Sequence, residues 1–217
     1  MTNLPTPYRQ IRALQTETTI TVYQAYSAAI ALPAVEQQKL NASPNFSTTR
    51  MTWIKPSWAW MLYRSGYSYK DPGQECILAL TMTKEALLNL LRQSLVNEHI
   101  SSLKEGDDLA SPPAVAPCVR VQWDPERTVR LQKLGYRSIQ IGVPGALVDR
   151  LVEGIVKIED VTARARALKR VLDDDEDLDE ASLKTMCLVP EENIFELDEE
   201  LLISLRMQHG RTVRAIE

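Results

Sequence analysis

The densest set of chemically capable side chains lies between residues 50 and 66, RMTWIKPSWAWMLYRSG. It holds three indoles (Trp53, Trp58, Trp60), Tyr63 and three cations (Arg50, Lys55, Arg64). Cations beside flat aromatic faces suit an anionic, planar ligand, because the charge meets a phosphate or carboxylate while the ring stacks. In an extended RMTWIK, alternation puts Arg50 and Thr52 on one face and Met51, Trp53 and Lys55 on the other. Pro56 suits the first turn of a helix. The unpaired N–H groups and positive dipole of such a helix end, with Lys55 and Ser57 beside them, form a seat for phosphate or carboxylate. Trp60 and Arg64, four residues apart, are neighbours on the helix. The competing reading makes Trp53, Trp58, Met61 and Leu62 core residues, with Arg50 and Arg64 covering the indoles by their aliphatic stems.

Three further groups offer polar chemistry. TVYQAYS carries Tyr23 on one face of a strand and Gln24 and Tyr26 on the other. The Gln24 amide can serve a base, an amide or a ribose, or simply bond along a strand edge. VQWDPER and YRSIQIGV bring Asp124, Glu126 and Arg127 to a strand end, with Gln140 on the second strand. Asp124 equally suits the cap of a turn before Pro125. Glu75 follows DPGQ and is a further carboxylate. His99 and His209 belong to no Ser/His/Asp or Cys/His constellation. There is no phosphate-binding loop, no G-x-G-x-x-G and no metal-ligand spacing, and the acidic run lacks the glycine of a calcium loop. A classical kinase, dehydrogenase or zinc hydrolase is therefore not expected, and no metal is.

The 217 residues, 44% hydrophobic and 25% charged, have an ordinary globular composition and can bury a substantial core. No apolar run approaches the roughly 20 residues that span a bilayer. The N-terminus has no signal pattern, so the expected location is intracellular, in cytoplasm or nucleus, with no membrane partner. Cys76, Cys118 and Cys187 are sparse and far apart, which suits reduced thiols. Net charge is −4, but the cations crowd the first third and the acids fall late, in DDDEDLDE and LDEELL. That balance argues against a broad basic surface for duplex nucleic acid and leaves room for a local basic pocket.

The elements that must position these residues are mixed. RQIRAL and TTITVYQAYS read as a strand pair, and CILALTMT as a buried strand. CVRVQWD and YRSIQIGV read as strands around a turn, PERTVRLQKLG. AAIALPAVEQQKL is broken by Pro33, which predicts two short turns. Residues 57–65 form a helix that Gly66 stops. KEALLNLLRQSL is amphipathic, with Leu87, Leu88, Leu91 and Leu95 on one face. Apolar spacing predicts one long helix from about Gly145 to Leu172, and CLVPEENIFELD returns extended. Without regular βαβ alternation the class is α+β: a compact mixed-sheet core, flanking helices and one long C-terminal helix. Residues 1–198 read as one domain and residues 199–217 as a short amphipathic tail that frays at Gly210.

RQIRA, TVYQAYS, RMTWIKPSWAWMLYRSGY, QWDPER and RSIQIGV, in this order and followed by VPEENIFEL, resemble the DUF4291 family over roughly residues 7–198. That name carries no activity. More distantly, a polar-aromatic strand, a short helix, a strand with Thr52 and an aromatic helix resemble ADP-ribosyltransferase-type domains. The likeness implies NAD held in a cleft between two small sheets. It gives Arg12 or Gln24 the cofactor contact on the first strand, Thr52 the small hydroxyl, and Tyr63 or Tyr67 the stack on nicotinamide. The late-strand acid of those domains is missing, because IQIG has Gln140 and then Gly142. Gln140, Glu75, Glu126 or Glu192 would have to take its part. The implied function is transfer of ADP-ribose from NAD to nucleic acid or protein. The alternative is a non-catalytic module for a nucleotide or for single-stranded nucleic acid, with bases stacked on Trp53, Trp58 or Trp60. A third reading uses the acidic run 173–180 to recruit a basic partner.

Overall fold

The computed structural model describes residues 6–96 and 118–207. His99, His209, Gly210 and the loop KEGDDLASPPAVAP lie outside them. The elements in chain order are β1 (Arg12–Ala13), β2 (Thr19–Tyr26), α1 (Ala28–Glu36), β3 (Thr52–Ile54), α2 (Trp58–Ser65), β4 (Cys76–Thr83), α3 (Lys84–Arg92) and β5 (Ser94–Val96). They continue with β6 (Val119–Arg127), β7 (Lys133–Val143), α4 (Val148–Gly154), β8 (Ile155–Asp160), α5 (Thr162–Asp174), α6 (Glu180–Thr185), β9 (Asn193–Ile194) and α7 (Glu199–Ser204). The fold is α+β.

CILALTMT lacks alternation because both faces of β4 are covered. Leu78, Leu80 and Met82 enter the main core, and Ile77 and Ala79 enter a second core under α2 and α5. β4 is the middle of an antiparallel three-stranded sheet, β2-β4-β8. A larger, four-stranded sheet has the order β3-β7-β6-β5, and β1 and β9 form a separate two-stranded one. In the four-stranded sheet Val119, Val121, Trp123, Ile139, Ile141 and Val143 share the main core with the three-stranded sheet and with α1, α3 and α4. One bridge joins these two sheets: Tyr23 N–H donates to Lys55 O at 2.6 Å and Lys55 N–H to Tyr23 O at 3.0 Å. Among the described residues no helix is long and apolar enough to cross a membrane.

Several expectations are corrected. The long helix from Gly145 to Leu172 is two helices separated by a strand. Gly154 ends α4 where a Cβ would meet Ala86 Cβ at 2.5 Å, and IVKIED pairs antiparallel with β4 as β8. The apolar spacing that suggested one helix serves two cores, Leu151 and Ile158 in the first, Ala165 and Leu168 in the second. Pro33 does not split α1. It removes the N–H that would bond Ala29 O, and Ser43 Oγ donates to that carbonyl at 2.7 Å instead. β1 pairs with β9, and RQIRAL meets TTITVYQAYS only at its end, where Thr21 N–H donates to Leu14 O at 2.8 Å and Gln15 bridges Ile20. The hairpin turn lies at residues 128–132, and Pro125 sits inside β6 at an irregularity in its pairing with β7, so Asp124 caps no turn there. Leu201 and Leu205 of the α7 segment pack into the main core.

Candidate functional site

The site is built from the turn between β3 and α2. Ile54 faces the main core, so alternation sends Trp53 and Lys55 to the outer face of the larger sheet. Along β6, Val119, Val121 and Trp123 likewise point inward, which leaves Gln122 and Asp124 outward. Gln140 of β7 stands opposite Gln122 and donates to its side-chain oxygen at 2.9 Å. Trp53 stands opposite Gly142, and its indole lies across the strand there: a Cβ on Gly142 would meet the ring at 2.8 Å. Glycine at 142 thus makes room for a flat aromatic floor, which explains why no acid occupies that position.

Over this face lies a cavity of about 360 Å³ walled by Gln24, Trp53, Lys55, Met61, Arg64, Gln74, Gln122 and Gln140. Gln24 also walls a neighbouring cavity of about 350 Å³, with Tyr26, Phe46, Arg50, Met51 and Thr52. Gln24 is common to both, and this pair of cavities beside β2 and β3 is the candidate groove. No acidic side chain is among the described residues that line it. Lys55 is 3% exposed. Its amine stands 5.9 Å from the centre of the Trp60 ring. Burial pushes Lys55 down to about 7, Arg64 adds to that push, and Asp124 opposes it least strongly of the three.

The far side of the same turn is acidic. Ser57 caps α2, its Oγ accepting from Trp60 N–H at 3.1 Å and donating to Glu126 Oε1 at 2.9 Å. Glu126 Oε1 also accepts from Arg127 N–H at 2.8 Å. Trp58 N–H donates to Glu192 Oε1 at 2.7 Å, and Arg12 holds the Glu192 carbonyl at 3.1 Å. The helix end expected to seat a ligand anion therefore holds the protein's own carboxyl groups, Glu192 on the Trp58 N–H and Glu126 on the capping Ser57 hydroxyl. Burial pushes Glu126 up and Glu192 up to about 8, with Glu126 adding to the rise at Glu192. A cavity of about 300 Å³ opens beside them, reaching Arg12, Tyr136 and Lys184. It shares no lining residue with the groove.

The sequence-predicted residues divide accordingly. Gln24, Tyr26, Arg50, Thr52, Trp53, Lys55, Arg64 and Gln140 line the groove. Arg12, Ser57 and Glu126 line the acidic cavity. Tyr23 is buried in the second core, its ring 5.2 Å from that of Trp58. Tyr63 is exposed, with the Arg127 guanidinium 3.9 Å from its centre. Tyr67 is buried in the second core and donates to Val129 O. Neither tyrosine lines the groove, so neither is placed to stack there. Glu75 accepts from Ala28 N–H at 2.9 Å and caps α1. Trp58 and Trp60 are packing residues, 1% and 7% exposed. Sequence reasoning missed Gln74 and Gln122. Gln122 was within reach, because it alternates with buried Val121 and Trp123 on the strand that carries Asp124.

The sequence profile of DUF4291, a domain of unknown function, matches residues 10–195. The chain belongs to the DUF4291 family. The matched span begins just before β1 and ends with β9, so it takes in all three sheets, the groove and the acidic cavity. Comparison with curated proteins gives no match. Among the described residues no group of histidine, cysteine and acidic side chains could hold a metal ion.

Proposed function

We propose that this DUF4291 protein binds a nucleotide-type ligand, with NAD the first candidate, in the groove along β2 and β3. The observation that carries the reading is the composition of the walls: Arg50, Lys55 and Arg64, four glutamines and a flat-lying Trp53, with no acidic side chain among the described lining residues. Arg50 and Arg64 favour phosphates. Gln24, Gln74, Gln122 and Gln140 offer donors and acceptors to a base or amide edge. Trp53 offers a stacking face. The two cavities together match the size of sites for small ligands and cofactors.

The reaction such a ligand would serve is transfer of ADP-ribose from NAD, in which a carboxylate steadies the cationic sugar. The groove itself supplies no such carboxylate. Glu126 and Glu192 are engaged behind α2, and Asp124 is the acid whose charge reaches Lys55. The support is therefore stronger for binding than for transfer. Binding of single-stranded nucleic acid has less support, because Trp58 and Trp60 are buried and Trp53 is left to stack. The test is a thermal-shift screen with NAD, AMP, ATP and short oligonucleotides on the parent and on Arg64→Ala. The reading predicts a shift with a mononucleotide or NAD that Arg64→Ala reduces. NAD consumption measured on the same samples tests the transfer step. No shift with any nucleotide overturns the reading.

A further inference from the structure

The groove contains one group that ligand binding alone does not explain. A lysine used only to attract phosphate works best exposed and charged, with its stem free to move. Lys55 is 3% exposed, and the reciprocal backbone bonds to Tyr23 and the following Pro56 fix its main chain. Trp53 and Met61 line the groove beside it. The charged groups that face its amine are Arg64 from α2 and Asp124 from β6, and the other polar walls of its cavity are neutral glutamines. A desolvated amine beside another cation is a standard way to make lysine a nucleophile. Burial and Arg64 bring Lys55 down to about 7. At neutral pH it then presents roughly 10³-fold more neutral amine than an exposed lysine does.

We propose that Lys55 is an amine nucleophile that forms an imine with a phosphorylated aldehyde, in particular the opened reducing ribose of a nucleotide such as ADP-ribose. The lone pair on Nζ attacks the carbonyl carbon, a C–N bond forms, and the carbonyl electrons move to oxygen. Nitrogen passes one proton to that oxygen to give the carbinolamine, the hydroxyl takes up a second proton and its C–O bond breaks to release water, and the iminium left behind gives up its N–H proton to become the imine. Amine and aldehyde become imine and water, with no oxidant or reductant required. Arg64 lines the same cavity and is placed to hold the phosphate, and Trp53 to carry the base. The identity of the ligand rests on the nucleotide reading above. The reactivity of the amine does not.

The test is reductive trapping at about pH 7. The parent chain is mixed with cyanoborohydride and either pyridoxal 5′-phosphate, a flat phosphorylated aldehyde, or ADP-ribose, and the adducts are mapped by peptide mass spectrometry. Exposed Lys39, Lys70, Lys133 and Lys157 are internal controls. The expected result is an adduct at Lys55 that forms at least about tenfold faster than at those controls. In Lys55→Met, which keeps the stem, the fast adduct disappears and the slow ones remain. Equal labelling of all lysines, or no adduct at Lys55 with either probe, overturns the proposal. Trapping at Lys55 that NAD and AMP fail to slow keeps the nucleophile and sinks the nucleotide reading. NAD binding without trapping at Lys55 does the reverse.

Discussion

Replacing Lys55 with methionine should make this protein more stable, which is the opposite of what most substitutions at a buried position do. Methionine keeps the length and flexibility of the stem, so packing changes little. What changes is the amine. Its proton affinity falls from 10.5 in the open chain to about 7 in the fold. At about 1.4 kcal/mol for each tenfold change, burying it costs on the order of 4 kcal/mol at pH 7. The direction with pH follows from proton counting. Between about 7 and 10.5 the folded chain holds fewer protons at Lys55 than the unfolded chain, so the parent gains stability as pH rises through that window. Lys55→Met has no such gain. The advantage of the variant is therefore largest at and below pH 7, and it shrinks by about 1.4 kcal/mol per pH unit above it. Urea denaturation of both proteins, first at neutral and then at alkaline pH, measures the difference directly. A variant less stable than the parent at pH 7, or an advantage that does not change with pH, would refute the burial argument.

Three further outcomes follow from particular contacts. Gly142→Ala should push the Trp53 ring off β7, because the new Cβ would lie 2.8 Å from it, and the change in Trp53 fluorescence should accompany weaker nucleotide binding. Glu192→Gln should flatten the pH profile of stability: burial holds Glu192 at about 8, so the folded chain keeps a proton that the unfolded one has lost above 4.5, and the parent loses stability as pH rises through that interval. Thermal melts across it would show a declining parent and a flatter variant. Ser43→Ala should cost about 0.5–1.5 kcal/mol in chemical denaturation, since it removes the hydroxyl that bonds the Ala29 carbonyl in place of the missing Pro33 N–H.

Much of the groove was legible because it depends on strand alternation, which is local. The period of two placed Trp53 and Lys55 together on one face and Ile54 on the other, and the structure has them so. Gly66 was legible as the stop of α2 for an equally local reason, its left-handed φ of 56°. What failed was what only tertiary pairing decides. IVKIED carries apolar residues at spacings a helix also uses, and it becomes β8 because the edge of β4 needs a partner. The α2 N-terminus is the same kind of failure: its dipole was read correctly, but Glu126 and Glu192 arrive from 69 and 134 residues further along the chain. Gly142 looked like a missing acid, and it is the space that the Trp53 indole occupies.

The central claim is that the walls of the groove, and not the helix end behind them, hold a nucleotide. Calorimetric titration of NAD into the parent, Trp53→Ala, Arg64→Ala and Lys184→Ala tests it most directly. Trp53 and Arg64 line the groove, whereas Lys184 lines the acidic cavity on the other side of the turn. The predicted result is one NAD per chain, with affinity lowered at least about tenfold by each groove variant, a loss of about 1.4 kcal/mol, and unchanged in Lys184→Ala. Binding that Lys184→Ala weakens while the groove variants leave it intact would contradict the account.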